Sequence, residues 1–288
     1  MKVKTAAKIN LALDVTGRLE NGYHAIESVF QTVGIYDEVT VELTDNGIIT
    51  VSCELPELFA SSDPIPCDER NIAYKAAKRF FEANSMSEGC NIHIKKGIPS
   101  QAGMGGGSTD AAAVLYCLNR LTGKSLDAPE KLGADVPFFF TGGTAYVSGI
   151  GEKIEPVADY SGRILVIAKG AEGVSTAEAY GSIDALTQPC HPETHKLVNA
   201  INTAPDDAYH YFGNLFEQAI RLEEVERIEA EMVDSGALKA VMTGSGSAVF
   251  GLFGSEEQAV SCAEKLAASG FFAQVCKTVS SSFIEIEG

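Results

Sequence analysis

Apolar and polar residues alternate from the start of the chain. Ala7, Ile9, Leu11 and Leu13 fall between Lys8, Asn10, Ala12 and Asp14, the two-residue period of a half-buried strand. Asn21-Gly22 follows, a pair that tolerates positive φ and marks a turn. VTVEL (39–43) and IITVS (48–52) flank Thr44-Asp45-Asn46-Gly47, which predicts a hairpin. The period then changes. Asp68-Glu69-Arg70-Asn71 opens a predicted helix with Ile72, Ala76, Phe80 and Ala83 on one face. CNIHIKK (90–96) alternates again and ends at Gly97-Ile98-Pro99, and the Ala-rich stretch 110–121 predicts a helix stopping near Gly123. LGADVPFFFTGGTAYVSG predicts a short element and then a strand.

Around 159–162 the pattern restarts, with the apolar strand ILVIA at 164–168. Residues 181–211, dense in Pro, His and Asp, read as loop. A helix is predicted over about 216–235, then a strand at 239–242, a tight turn at 243–247, the strand AVFGLF and a helix at 256–268. Two closing strands at 274–279 and 282–286 complete the second half. We divide the chain into two α/β units, 1–159 and 160–288, with no internal repeat and no long linker.

One loop stands apart. SQAGMGGGSTDAAA (100–113) has the glycine density of a phosphate loop, yet no Lys follows its glycines before Lys124, as a P-loop requires. Nor does it fit G-x-G-x-x-G: counting from Gly103 puts Ser108 in the last slot, and from Gly105 puts Asp110 there. It lies between a strand and a helix N-terminus, where unpaired N–H groups and the helix dipole face an anion. A flexible linker is the competing reading, and Ser108 and Thr109 are candidates to cap the helix or bind a ligand oxygen. Lys8 and Asn10 emerge on one strand face, which suits either a solvated face or a site. Asp135, two residues before Pro137, reads locally as an N-cap. Tyr23 and His24 read as exposed turn residues, or as a ring face and hydrogen-bonding edge for a nucleobase. His191 and His195 are spaced i, i+4, but Pro192 and the lack of H-E-x-x-H order argue against a zinc helix. No G-x-S-x-G elbow is present.

Composition narrows the partners. The 288 residues are 45% hydrophobic, enough for a real core, and carry a net charge of −17. That excess argues against nucleic acid or an anionic membrane as partner, while leaving room for a small anion at a local positive site. Seven scattered cysteines without C-x-x-C pairs suit a reducing cytoplasm. No apolar run approaches a membrane span, and the first residues read as strand rather than as a signal peptide. The absence of a long apolar surface stripe favours a monomer or weak homodimer.

Together these segments resemble the GHMP small-molecule kinases. That family's phosphate loop, P-x-x-x-G-[LM]-G-[SG]-[SG]-[ST], matches Pro99 through Ser108, and AKINLALDVTGRLENGYHAIESVFQTV (7–33), GADVPFFFTGGTAYVSGIGEKIEP (133–156) and TGSGSAVFGLF (243–253) match in the family's order. The resemblance implies an α+β two-domain GHMP kinase fold. Its N-terminal domain would be ribosomal S5-like α/β and its C-terminal domain a ferredoxin-like α/β sandwich, with the active site in the cleft between them. It implies ATP and Mg²⁺ as cofactors, with the metal ligands unassigned beyond Ser108 as a candidate. The catalytic pair falls on Lys8 and Asp135. The ATP set falls on Asn71, Lys96, Pro99, Ser100, Gln101, Ala102, Gly103, Met104, Gly105, Gly106, Gly107, Ser108 and Thr109. The G-Y-H and G-A-D-V-P-F segments resemble the branch that phosphorylates the 2-hydroxyl of a cytidine diphosphate sugar alcohol in non-mevalonate isoprenoid synthesis. In that branch the substrate contacts fall on Asn10, Tyr23, His24, Phe30 and Thr176. Another GHMP kinase, acting on homoserine, mevalonate or a sugar, and a non-catalytic nucleotide-binding regulator of the same fold remain as alternatives.

Overall fold

Two long strands, β1 (Lys2–Arg18) and β2 (His24–Thr44), pair antiparallel and frame the first half of the molecule. The structure, a computed structural model, describes residues 1–56 and 65–286. β3 (Ile49–Glu54), the helix α1 (Ile72–Ala83) and β4 (Gly89–Lys95) come next. The predicted hairpin between 39–43 and 48–52 does not form: β4 inserts between β2 and β3, antiparallel to the first and parallel to the second. Burial explains the order. Cys90, Ile92 and Ile94 of β4 are fully buried, so β4 takes the interior position, and β3, with Thr50, Ser52 and Glu54 exposed, takes the edge. The chain crosses at Gly89, where a Cβ would stand 2.1 Å from the carbonyl oxygen of Ile48.

Helix α2 (Gly106–Thr122) starts inside the glycine run, four residues earlier than its alanines suggest. It packs on α1 and over β1 and β2, burying Ala111 to Leu115, Cys117 and Leu118. With Phe80, Ile92, Ile94, Phe138 and Phe139 these residues form the first core, each large side chain contributing roughly 1.5–3 kcal/mol. The short α3 (Phe138–Thr141), then β5 (Thr144–Gly149) and β6 (Lys153–Pro156), complete this half, β5 pairing with the first part of β2.

The second sheet is a βαββαβ arrangement. It contains β7 (Ile164–Lys169), α4 (Thr176–Ile183), α5 (Thr194–Thr203), the two-residue β8 (Gly213–Asn214), α6 (Phe216–Ala219) and α7 (Glu223–Asp234). β9 (Lys239–Met242), β10 (Val249–Phe253), α8 (Glu256–Ala268) and β11 (Phe272–Lys277) close it in the antiparallel order β11-β7-β10-β9. Three expectations change here. Residues 181–211 hold α5 and a 3-10 segment at Pro205–Tyr211, because Leu197, Ala200 and Ile201 make a buried helical stripe. The helix expected over 216–235 breaks into α6 and α7, since Ile220 and Leu222 extend to pack on the apolar cluster that holds Phe216, Ile228 and Met232. The last strand, β12 (Phe283–Ile286), leaves the second half and pairs with β1 at Lys2–Thr5. β8 also joins β1. Division by chain order therefore does not describe the first sheet. An apolar layer that includes Ile9, Leu11, Ile35, Met104, Ile167, Val241 and Phe250 welds the two sheets together.

Candidate active site

A cleft of about 1420 Å³ runs between the two sheets, larger than the ~300–1,000 Å³ of a site for one small ligand. The glycine loop forms its floor. Gly105, at φ 71°, precedes α2, and the first helical bond runs from Thr109 N–H to the Gly105 carbonyl. The N–H groups of Gly106, Gly107 and Ser108 precede that bond and have no partner within the helix. All three residues line the cleft. A Cβ on Gly105 would meet Phe139 Cζ at 3.0 Å and Lys8 Cγ at 3.1 Å, so the loop approaches Lys8 only as glycine. Gly103 and Gly244 touch backbone to backbone: a Cβ on Gly103 would lie 2.2 Å from the Thr243 carbonyl oxygen.

Lys8 enters from β1. Its backbone N–H donates to the Met104 carbonyl (3.0 Å), and its Nζ donates to Asn10 Oδ1 at 2.7 Å. Nζ stands 3.6 Å from Asp135 Oδ2 and 4.5 Å over the Phe30 ring. Burial pulls the Lys8 pKa down, and Asp135 opposes that pull. Asp135 does not cap α3, whose N-cap is Pro137, so the local reading of this residue is overturned. Its side chain faces the lysine instead and is 29% exposed. Asn10 is fixed by Ser28 Oγ (2.9 Å) and, through its backbone N–H, by Thr243 Oγ1 (2.9 Å) of the opposite half.

Lys96 lies in the same wall with its charge already met. Its Nζ donates to Asp37 and to Asp110 Oδ2 at 2.8 Å, and Asp37 also accepts from the N–H groups of Gly97 and Ile98. Burial alone would lower its pKa, but the two carboxylates outweigh burial and raise it. Burial pushes Asp110 well up, against the pull of Lys96.

The other expected residues divide. Pro99, Ser100, Gln101, Ala102, Met104, Tyr23, His24, Phe30 and Thr176 all line the cleft. Asn71 lines it too, but both ends of its amide hold backbone: Oδ1 accepts from Ala73 N–H and Nδ2 donates to the Pro66 carbonyl. It shapes the wall through Pro66. Thr109 turns inward, its hydroxyl donating to the Ala6 carbonyl and meeting Thr5, so it neither caps α2 nor faces a ligand. Phe30 is buried as a platform beneath Lys8 and edge-on to Phe138. Tyr23 is 62% exposed at the rim. Thr176 Oγ1 meets Ser245 Oγ at 3.3 Å, bringing the 243–247 turn to the cleft mouth.

Sequence reasoning missed Tyr180, one helical turn after Thr176 on α4. Its ring stacks on His24 with centroids 4.7 Å apart and packs edge-on to Phe216. Burial, with the charge of Asp135 added, pushes its hydroxyl up to about 12. The i, i+4 spacing from Thr176 was the available signal. His191 and His195 lie outside the cleft, bonded to Asp14 and facing Glu27. Among the described residues no cluster of three His, Cys, Asp or Glu side chains is placed to hold a metal. At the loop, the Ser108 hydroxyl faces Gly133, two residues before Asp135.

A buried lysine beside a carboxylate, on a glycine floor that opens a helix, defines a phosphotransferase of the GHMP type. The chain belongs to the GHMP kinase family: the family's N-terminal domain matches residues 71–143 and its C-terminal domain residues 196–271. Within that family it is similar to 4-diphosphocytidyl-2-C-methyl-D-erythritol kinase of Clostridium botulinum, at 41% identity over 92% of this chain and 95% of the relative. A crystal structure of 4-(cytidine 5'-diphospho)-2C-methyl-D-erythritol kinase superposes with a TM-score of 0.78 at 30% identity, over 96% of this chain and 99% of the other. Homoserine kinase of Cytophaga hutchinsonii shares the fold, with a TM-score of 0.75 over 99% and 97% of the two chains, but only 18% identity. No helix among the described residues is long and apolar enough to cross a membrane.

Proposed function

We propose that this chain is an ATP-dependent kinase that phosphorylates the 2-hydroxyl of 4-diphosphocytidyl-2-C-methyl-D-erythritol. The observation that carries the reading is one cleft with two differently equipped ends. At one end lie the free N–H groups of the glycine floor beside Lys8 and Asp135; at the other lie the rings of Tyr23, His24 and Tyr180.

The triphosphate rests against the N–H groups of Gly106, Gly107 and Ser108, which supply positive potential that a chain of net charge −17 lacks overall. Asp135 orients the acceptor hydroxyl and takes its proton as the oxygen attacks the γ-phosphorus. The bond from that phosphorus to the β–γ bridging oxygen breaks, and ADP leaves with the electron pair. Lys8 neutralises charge on the transferring group from a desolvated position. Asn10 holds the Lys8 ammonium in line, and Phe30 supports it from below. Mg²⁺ would sit chiefly on phosphate oxygens, with Ser108 and Asp135 the side chains at hand, and would neutralise phosphate charge. Tyr23 stacks on the cytosine and His24 hydrogen bonds to it. The same reading makes this a cytoplasmic enzyme of small-molecule metabolism, consistent with seven free cysteines.

The test is ADP release with this acceptor against homoserine, mevalonate and simple sugars. Wild type turns over the cytidyl acceptor selectively, and Asp135→Asn loses roughly 10²–10⁴-fold in kcat while still binding ATP in a calorimetric titration. Turnover near wild type in that variant, or equal use of an acceptor without cytidine, overturns the reading.

A further inference from the structure

The tip of the β1–β2 ribbon projects from the first sheet, and residues 16–22 are exposed along its whole length. It carries Tyr23 and His24 to the acceptor end of the cleft. A projecting tip of this kind does not hold an aromatic ring in one place by itself. Three contacts hold it, all from one helix. His24 Nε2 lies 2.8 Å from Asp184 Oδ1, Arg18 Nη1 lies 3.5 Å from Asp184 Oδ2, and the His24 ring stacks on Tyr180 at an interplanar angle of 17°. Asp184 is the C-cap residue of α4. It therefore ties the first sheet's hairpin to the helix that forms the opposite wall, over 160 residues of sequence.

We propose that Asp184 is a positioning residue for the acceptor subsite, fixing both the place and the tautomer of His24. The inference rests on the cytidyl-acceptor reading given above. A carboxylate accepts and does not donate, so the Asp184 contact puts the His24 proton on Nε2. Nδ1 is then the unprotonated nitrogen, and it makes no hydrogen bond among the described residues. An imidazole held this way accepts from an exocyclic amino group, which cytosine has, and offers nothing to a carbonyl oxygen, which uracil has at the same position. Arg18 is the second donor to the carboxylate and anchors the strand just before the tip. The hydrogen bond from His24, with the charge of Arg18 added, holds the Asp184 carboxyl below its usual range against the opposing effect of burial. Among the described residues no other charged group shares in this contact, so the cluster is these three side chains with Tyr180 beneath.

Asp184→Ala, Asp184→Asn and wild type separate the alternatives. For the alanine variant we expect the KM for the cytidyl acceptor to rise about tenfold, the size of one charge-assisted hydrogen bond, with kcat and the KM for ATP within about twofold of wild type. Its preference for the cytidyl acceptor over the uridyl analogue shrinks. The asparagine variant keeps an oxygen for Nε2–H and recovers most of the KM. Hydrogen–deuterium exchange, read without substrate, finds the amides of residues 18–24 faster in the alanine variant. An acceptor KM within twofold of wild type, or a matching rise in the KM for ATP, overturns the proposal. If wild type itself releases no ADP with the cytidyl acceptor, the function reading fails, and the exchange experiment still decides whether Asp184 holds the tip: unchanged exchange rejects it.

Discussion

Lys8 and Lys96 lie in the wall of one cleft, both almost fully buried, and they meet opposite surroundings. Lys96 sits between two buried carboxylates, with Asp37 further tied to backbone N–H groups. Lys8 has a single carboxylate, 3.6 Å away and partly exposed, and otherwise an amide oxygen and a ring face. One ammonium is saturated and its pKa is raised; the other is under-compensated and its pKa is lowered. The difference separates a saturated cation from an unsaturated one. A buried charge already met by two partners has little left for a ligand, whereas an incompletely met charge gains most when a phosphate arrives.

Replacing each lysine with methionine tests that contrast. Lys8→Met removes the charge at the transferring group and lowers kcat by roughly 10²–10³-fold, with little change in the urea midpoint. Lys96→Met does the reverse. It leaves Asp37 and Asp110 facing each other without a cation and costs about 3–5 kcal/mol of stability, read by urea unfolding, before any loss of intrinsic turnover. Should Lys8→Met unfold the protein while Lys96→Met spares it, the two roles are exchanged and the contrast is wrong.

A smaller effect sharpens the same point at a third place. Glu217 and Glu229 form a buried carboxyl pair between α6 and α7, with Glu226 and Lys239 the further charges acting on Glu229. Burial, then the charge of Glu217, raises Glu229 to about 8 from a usual 4.5. The folded state therefore holds a proton that the unfolded chain releases at lower pH. Stability from this pair is full below about 4.5 and is lost as pH rises through about 8. Glu229→Gln keeps a hydrogen-bond donor without the titration, so it flattens the fall of Tm over that window and stabilises the protein at pH 8. A pH dependence identical to wild type would show that the pair is not coupled in this way.

The sequence carried much of this site because glycine and periodicity are local signals. Gly103 to Gly107 announce a close backbone approach, and Ile72, Ala76 and Phe80 announce α1 without any tertiary information. What it did not carry depends on packing between distant segments. Asp135 looks like an N-cap because Pro follows it, and only the arrival of Lys8 from β1 gives its carboxylate another partner. The strand at 48–52 looks like half of a hairpin, until β4, which buries Cys90, Ile92 and Ile94 fully, takes the same edge of β2. Tyr180 carries only its i, i+4 spacing from Thr176 and Asp184 no local mark; their meaning comes from His24, 156 and 160 positions earlier. The family resemblance puts Lys96 among the ATP contacts, and the two acids that occupy it come from β2 and α2.

One pairing ties the order of synthesis to the order of assembly. Thr5 lies opposite Phe283, and Lys2 opposite Ile286, so β1 finds one of its neighbours only when residues 283–286 have been made. Until residues 283–286 are made, that edge of β1 has no β12 to pair with, while its other side can already pair with β2. A ribosome-bound chain ending before residue 280 would hold its nucleotide loop and Lys8 on a sheet short of one strand. Removing residues 283–286 therefore acts first on β1, the strand that carries Lys8.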